Sequence, residues 1–148
     1  DGTTGEHVKR TSKYTMLLAE KMLEKGLYAE ELTVSILESM RNGAPLHDIG
    51  KITIPDAVLT KPGALTFEEY EIIKTHAKAG ADMIRENMSQ MVSGDFLQVA
   101  CDMAQYHHEK WNGKGYPNGL KRFPLLPEFW QLPMCLMLWY PNVSTRKA

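Results

Sequence analysis

The chain has 148 residues, 43% of them hydrophobic and 24% charged, with a formal net charge of −1. That length accommodates one domain with its own apolar core, and the composition is not that of a disordered chain. A near-neutral charge excludes a broad basic field for a nucleic-acid polymer or an anionic membrane.

Residues 6–25 read as a first helix, with Val8, Met16, Leu17, Leu18, Met22 and Leu23 inward and Lys25-Gly26 as its stop. A second helix is expected over 29–41, with Leu32, Ile36, Leu37 and Met40 on one face. Asn42-Gly43 interrupts it before His47-Asp48-Ile49-Gly50-Lys51. Residues 52–55 read as an extended connector closed by Pro55, and Asp56 caps a short helix over 57–60. Thr66-Phe67-Glu68-Glu69 is a capping box. The helix it starts is expected to end near 74–77 with His76, and a separate one to follow over 78–88. Asp95 caps the next helix, in which Phe96, Val99, Ala100, Met103 and His107 share a face. A glycine-rich loop with a Tyr116-Pro117 step fills 109–120.

Cys101 and Cys135 have no metal-type spacing and read as reduced thiols of a cytoplasmic protein. The most apolar stretch, 132–140, is too short to span a membrane and contains Pro133. The abrupt start inside a helix-leading segment reads as a piece of a longer protein.

All five histidines, His7, His47, His76, His107 and His108, stand at helix ends or on helix faces. Imidazole and carboxylate ligands suit iron, manganese, zinc or magnesium-type ions. Asp48 is placed to bridge two cations with its two oxygens. Such a pair shares a hydroxide of lowered pKa and clamps a phosphodiester for attack, and Lys51 sits close enough to neutralise a phosphate oxygen. Residue types and spacing reach an all-helical His/Asp metal site suited to phosphoester chemistry, and no substrate.

The motifs together resemble those of the HD-GYP domains, a branch of the HD phosphohydrolase superfamily. They are residues 5–10 (Gly-Glu-His-Val-Lys-Arg), 45–52 around His47-Asp48, and Ile54-Pro55-Asp56. Lys61-Pro62-Gly63, Leu65-Thr66, His76, His107-His108-Glu109 and residues 112–120 around Gly115-Tyr116-Pro117 follow in the same order. The resemblance implies an all-α HD-domain helical bundle with a C-terminal extension, and hydrolysis of cyclic di-GMP to pGpG or GMP. It implies divalent metals, iron or manganese, on His7, His47, Asp48, His76, His107 and His108. Asp48 is then the bridge, and Lys51 the catalytic lysine beside a metal-bridging hydroxide. Gly115, Tyr116 and Pro117 flank the nucleotide and offer a docking surface for diguanylate-cyclase (GGDEF) domains. Arg146, in Ser144-Thr145-Arg146, falls where the family contacts guanine and phosphate. Such domains follow a sensory or receiver module.

Two departures shape the expectation. Members with a third metal carry a glutamate four residues before the first histidine; Thr3 stands there, which favours two metals. After Leu120 the family continues with a helix bearing Ala-Asp-x-x-Asp-Ala, whose first aspartate ligates metal. This chain has Pro127, Pro133 and Pro141 along that stretch and Met134 at the aspartate's place, so the C-terminal helix is expected to be disrupted. Shifting the frame by one nucleotide over 123–143, with permitted codons, restores the family helix with its aspartate at Met134. Residues 121–143 therefore read as a frameshifted segment. As written, the chain favours an alternative in which a catalytically impaired domain binds nucleotide or protein as a regulator. A hydrolase for another nucleotide is the other alternative.

Overall fold

Side-chain caps set two of the helix starts, at Thr33 and Thr66, whereas Asp56 and Asp95, expected as caps, are the first residues of their helices and follow Pro55 and Gly94. The computed structural model describes residues 2–92, 94–110 and 112–121, with side chains from residue 8 onward, and all regular structure among them is helical. In order come α1 (Gly2–Glu24), α2 (Val34–Gly43), two 3-10 turns (Ala44–Leu46 and Ile49–Thr53), α3 (Asp56–Leu59), α4 (Phe67–Met88) and α5 (Asp95–Tyr106). Residues 122–148, which include Met134, Arg146 and nearly all of the segment expected to be frameshifted, lie outside the described residues.

Thr33 caps α2 by accepting from the Ile36 N–H at 3.2 Å, so this helix starts five residues later than its apolar pattern indicates. The Thr66–Glu69 capping box forms in full: Thr66 Oγ1 accepts from Glu69 N, and Glu69 Oε2 from Thr66 N. The helix it starts does not stop near 77. It runs unbroken to Met88, because Gly80 is the point where α4 meets the 49–53 turn. Of the expected extended connector at 52–55, Ile52 and Thr53 belong to that turn, pinned by the Thr53 hydroxyl on the Gly50 carbonyl at 2.8 Å, while Ile54 and Pro55 are extended.

The last of the described helices, α5, is their central element. Its Val99 and Met103 pack with Met16, Ala19, Leu32, Met40 and Ala44. Its Ala100, Cys101 and Ala104 pack against Ala81 and Ile84 of α4. The buried stripe of α1 is Thr11, Thr15, Met16 and Ala19, while Leu17 is half exposed. Thr15 is tolerated there because its hydroxyl donates to the Thr11 carbonyl at 2.9 Å. No described helix is long and apolar enough to cross a membrane.

Candidate metal centre

The two 3-10 turns meet at Asp48. The turn after it lies so close to α4 that a Cβ on Gly50 would overlap the His76 carbonyl and the Gly80 backbone. That contact brings Asp48 to His76, which projects from the middle of α4 rather than from its end. The end of α5 delivers the other side, with His107 at the C-cap and His108 next. Asp48, His76, His107 and His108 thus form a cluster whose ligand atoms all lie within 4.8 Å of one another.

Hydrogen bonds select the tautomers. The Nδ1 atoms of His47, His76 and His107 lie 2.8, 2.6 and 2.8 Å from the carbonyls of Ala44, Ile73 and Ala104. A carbonyl only accepts, so each Nδ1 carries the proton and each Nε2 turns a lone pair inward. Those lone pairs converge on one carboxylate. Asp48 Oδ1 lies 3.4 Å from His76 Nε2 and 3.5 Å from His107 Nε2, and Oδ2 lies 3.4 Å from His47 Nε2.

The His76 and His107 Nε2 atoms are 3.2 Å apart, and Asp48 Oδ1 is buried with no hydrogen-bond donor among the described residues. Acceptors facing acceptors inside a protein are unfavourable unless a cation lies among them. The donor set, nitrogen and carboxylate oxygen without thiolate, fits a divalent transition metal.

Ionisation matches ligation. Burial, with neighbouring histidines, pushes His107 down to about 4 and His108 to about 2, so both rings are neutral at physiological pH. Lys51 Nζ pairs with Asp48 Oδ2 at 2.6 Å from a partly exposed position. A lysine at the rim of the carboxylate is a cation available to an anionic substrate.

The glycine-rich loop closes the open side. Tyr116 stacks on His108, with ring centroids 4.5 Å apart and planes 21° apart. Tyr116 and Pro117 line a cleft of about 420 Å³ with Glu71, Lys74, Thr75 and Lys78 of α4. Gly115 is there for space, since a Cβ would overlap the Glu109 and Lys110 backbone. The loop is organised by Glu109, 2% exposed, which sequence reasoning passed over as a site residue. Its carboxylate accepts from the N–H groups of Asn118, Gly119 and Leu120 at 2.6, 3.0 and 2.9 Å. The only sequence signal for it is its place directly after the histidine pair. Of the other expected site residues, His7 lies on α1 by its backbone, and its side chain, like that of Thr3, falls outside the described residues.

The helical frame and its inward-facing imidazoles around one aspartate define a domain built to hold metal at a carboxylate. The HD domain family model matches residues 4–138, and the chain belongs to that family. A cyclic di-GMP phosphodiesterase of Vibrio cholerae is 42% identical over 121 residues, covering 82% of this chain and 25% of its own length. One from Thermotoga maritima is 40% identical over 121 residues, covering 82% of this chain and 29% of its own length. A 3′3′-cGAMP-specific phosphodiesterase of Vibrio cholerae is 39% identical over 118 residues, covering 80% of this chain and 20% of its own. The chain spans about a quarter of the length of these relatives. The HD-GYP resemblance read from the motifs is borne out.

Proposed function

We propose that this domain is a metal-dependent phosphodiesterase acting on cyclic di-GMP, with pGpG or GMP as product. The observation that carries it is the convergence of imidazole lone pairs on both oxygens of Asp48, with Lys51 at the rim. We assign His47, Asp48, His76, His107 and His108, with His7 from α1, as ligands of two divalent ions, iron or manganese. When bound, such ions supply Lewis acidity and a water of lowered pKa.

The chain's own residues do the rest. Asp48 presents one oxygen to the His47 side and the other to the His76–His107 side. Lys51 neutralises phosphate charge as water oxygen joins phosphorus, the P–O3′ bond breaks and O3′ takes a proton. Gly115, Tyr116 and Pro117 flank the substrate, with Arg146 as a further contact, and the same loop is the surface offered to a GGDEF domain. The names of the relatives support the substrate. The one named for 3′3′-cGAMP supports a second cyclic dinucleotide under the same chemistry.

Met134, where the family places an aspartate, favours a second reading in which the domain binds without turnover as part of a longer cytoplasmic signalling protein. Metal analysis of the purified full chain, with chromatography of cyclic di-GMP and 3′3′-cGAMP digests under manganese or iron, separates the two. The enzyme reading expects bound metal, linear product and no product from Asp48→Ala. Turnover retained by Asp48→Ala refutes the assigned role of Asp48; no metal and no turnover leave the regulator.

A further inference from the structure

His108 differs from the other three central histidines in what holds its ring. His47, His76 and His107 are each oriented by a hydrogen bond from Nδ1 to a backbone carbonyl three residues earlier. No hydrogen bond reaches either ring nitrogen of His108 among the described residues. The outer torsion of a histidine is soft, so a ring without such a bond needs another restraint.

The restraint is packing. His108 lies between His107, at 4.1 Å between centroids, and Tyr116, at 4.5 Å. Its edge meets His76 at 5.1 Å. Two of these neighbours are fixed by their own hydrogen bonds, which leaves Tyr116 as the third wall.

Tyr116 is itself firmly held. Its N–H donates to the His108 carbonyl at 3.3 Å, tying the loop to the residue it covers. Glu109 staples the far end of the loop through Asn118, Gly119 and Leu120. The Tyr116 ring abuts the edge of Tyr70 at 6.4 Å, and Lys74 Nζ lies 6.0 Å from its centroid. Burial, with Tyr70 and Asp48 nearby, pushes its phenol pKa up, so Tyr116 brings a flat neutral surface and no charge.

We propose that Tyr116 is a positioning residue for metal binding: its ring holds the His108 imidazole in the plane that faces a ring nitrogen to Asp48, His76 and His107. The inference rests on the metal-centre reading and adds a role for Tyr116 separate from any contact with substrate. Loss of a group that orients a metal-bound histidine weakens metal affinity about 10- to 100-fold.

The test uses the full chain as wild type, Tyr116→Phe, Tyr116→Leu and Tyr116→Ala. Cobalt(II) affinity is measured by chelator competition, and the visible bands of the bound ion report ligand geometry. Melting curves without metal check that each variant is folded. Tyr116→Phe keeps the flat ring and is expected to bind within about twofold of wild type with the same spectrum. Tyr116→Ala is expected to lose about tenfold or more and to change the spectrum. Tyr116→Leu keeps apolar bulk without the plane, is expected to behave like alanine, and decides the matter if alanine unfolds the loop.

Wild-type affinity and spectrum in Tyr116→Leu overturn the role of Tyr116 and leave the metal centre standing. A loss in Tyr116→Phe equal to that in alanine also overturns it, since the hydroxyl rather than the ring is then at work. A wild-type chain that takes up no cobalt, manganese or iron overturns the metal centre, and this inference with it.

Discussion

Glu109 offers a test of the loop that is independent of any metal. Its carboxylate is 2% exposed and accepts three backbone N–H groups, Asn118 and Gly119 on Oε1 and Leu120 on Oε2. A hydrogen bond to a charged group contributes about 1.5–3 kcal/mol, and a buried N–H left bare costs about 1–3 kcal/mol. Glu109→Gln keeps an amide oxygen for Asn118 and Gly119, but turns an NH₂ toward the Leu120 N–H. The two bonds kept become neutral ones, the third is lost and donor meets donor, a cost of about 2–3 kcal/mol. Glu109→Ala removes all three acceptors. Water entering the space recovers part of the loss, leaving about 4–5 kcal/mol. In a domain of this size, each kcal/mol moves the melting temperature by roughly 2–4 °C. Thermal unfolding of the metal-free chain should therefore show a drop of roughly 5–10 °C for glutamine and 10–20 °C for alanine. An alanine variant melting within about 2 °C of wild type would refute the staple. Equal losses for glutamine and alanine would show that charge, and not the number of acceptors, is what matters.

Gly50→Ala places a methyl group against the His76 carbonyl and the Gly80 backbone, neither of which yields as a flexible side chain would. The turn must leave α4, so a loss of about 3 kcal/mol or more by urea unfolding is expected, along with weakened metal uptake by equilibrium dialysis; wild-type values in both would show that the contact does not set the site. Thr66→Ala should cost about 1 kcal/mol, because it removes the acceptor for Glu69 N, and should leave metal uptake unchanged. Lowering pH should destabilise the metal-free chain. His107 titrates near 4 when folded and about 6.5 when unfolded, so the unfolded state binds the extra proton between those values. Its contribution is fully present above pH 6.5 and lost as pH falls towards 4, on the order of 3 kcal/mol. His108, pushed to about 2, acts in the same direction. Denaturant unfolding at pH 7 and pH 5 checks the sign, and greater stability at pH 5 would contradict neutral buried rings. DNA sequencing across the codons for 121–143 should reveal a single-nucleotide shift, and an in-frame read for Met134 would sink that explanation.

What was legible in the sequence is what local chemistry decides. The Thr66–Glu69 box announces itself because both partners lie within four residues. The end of α1 is similarly local. Features that depend on distant contacts were not legible. Gly80 resembles a helix breaker in isolation, but it lies inside α4 because Gly50 approaches it from another part of the chain. Thr11 and Thr15 are polar by type yet buried, since the second hydroxyl is satisfied by the backbone of the first. Leu17 is apolar by type and half exposed, since α1 turns the Thr11–Thr15–Ala19 stripe to the core instead.

The site divides along the same line. Its residue types were readable, because histidine and aspartate in that order form a recognisable motif. The tautomers were not readable: they follow from three carbonyls that hydrogen-bond to Nδ1 and so turn every Nε2 inward. Position along the chain obscured this pattern. His47 follows a 3-10 turn, His76 stands in mid-helix and His107 caps a helix, yet each ring uses the carbonyl three residues before it. One local device, repeated on three elements, thus aims three lone pairs at a single carboxylate. His108, which follows the C-cap residue His107, has no such device, and the loop from Glu109 to Leu120 provides a ring in its place. Gly115 follows from the same requirement. Tyr116 reaches His108 only if residue 115 carries no side chain against the Glu109 backbone. The Gly-Tyr step is therefore explained by the geometry of the metal centre before any substrate or partner is considered.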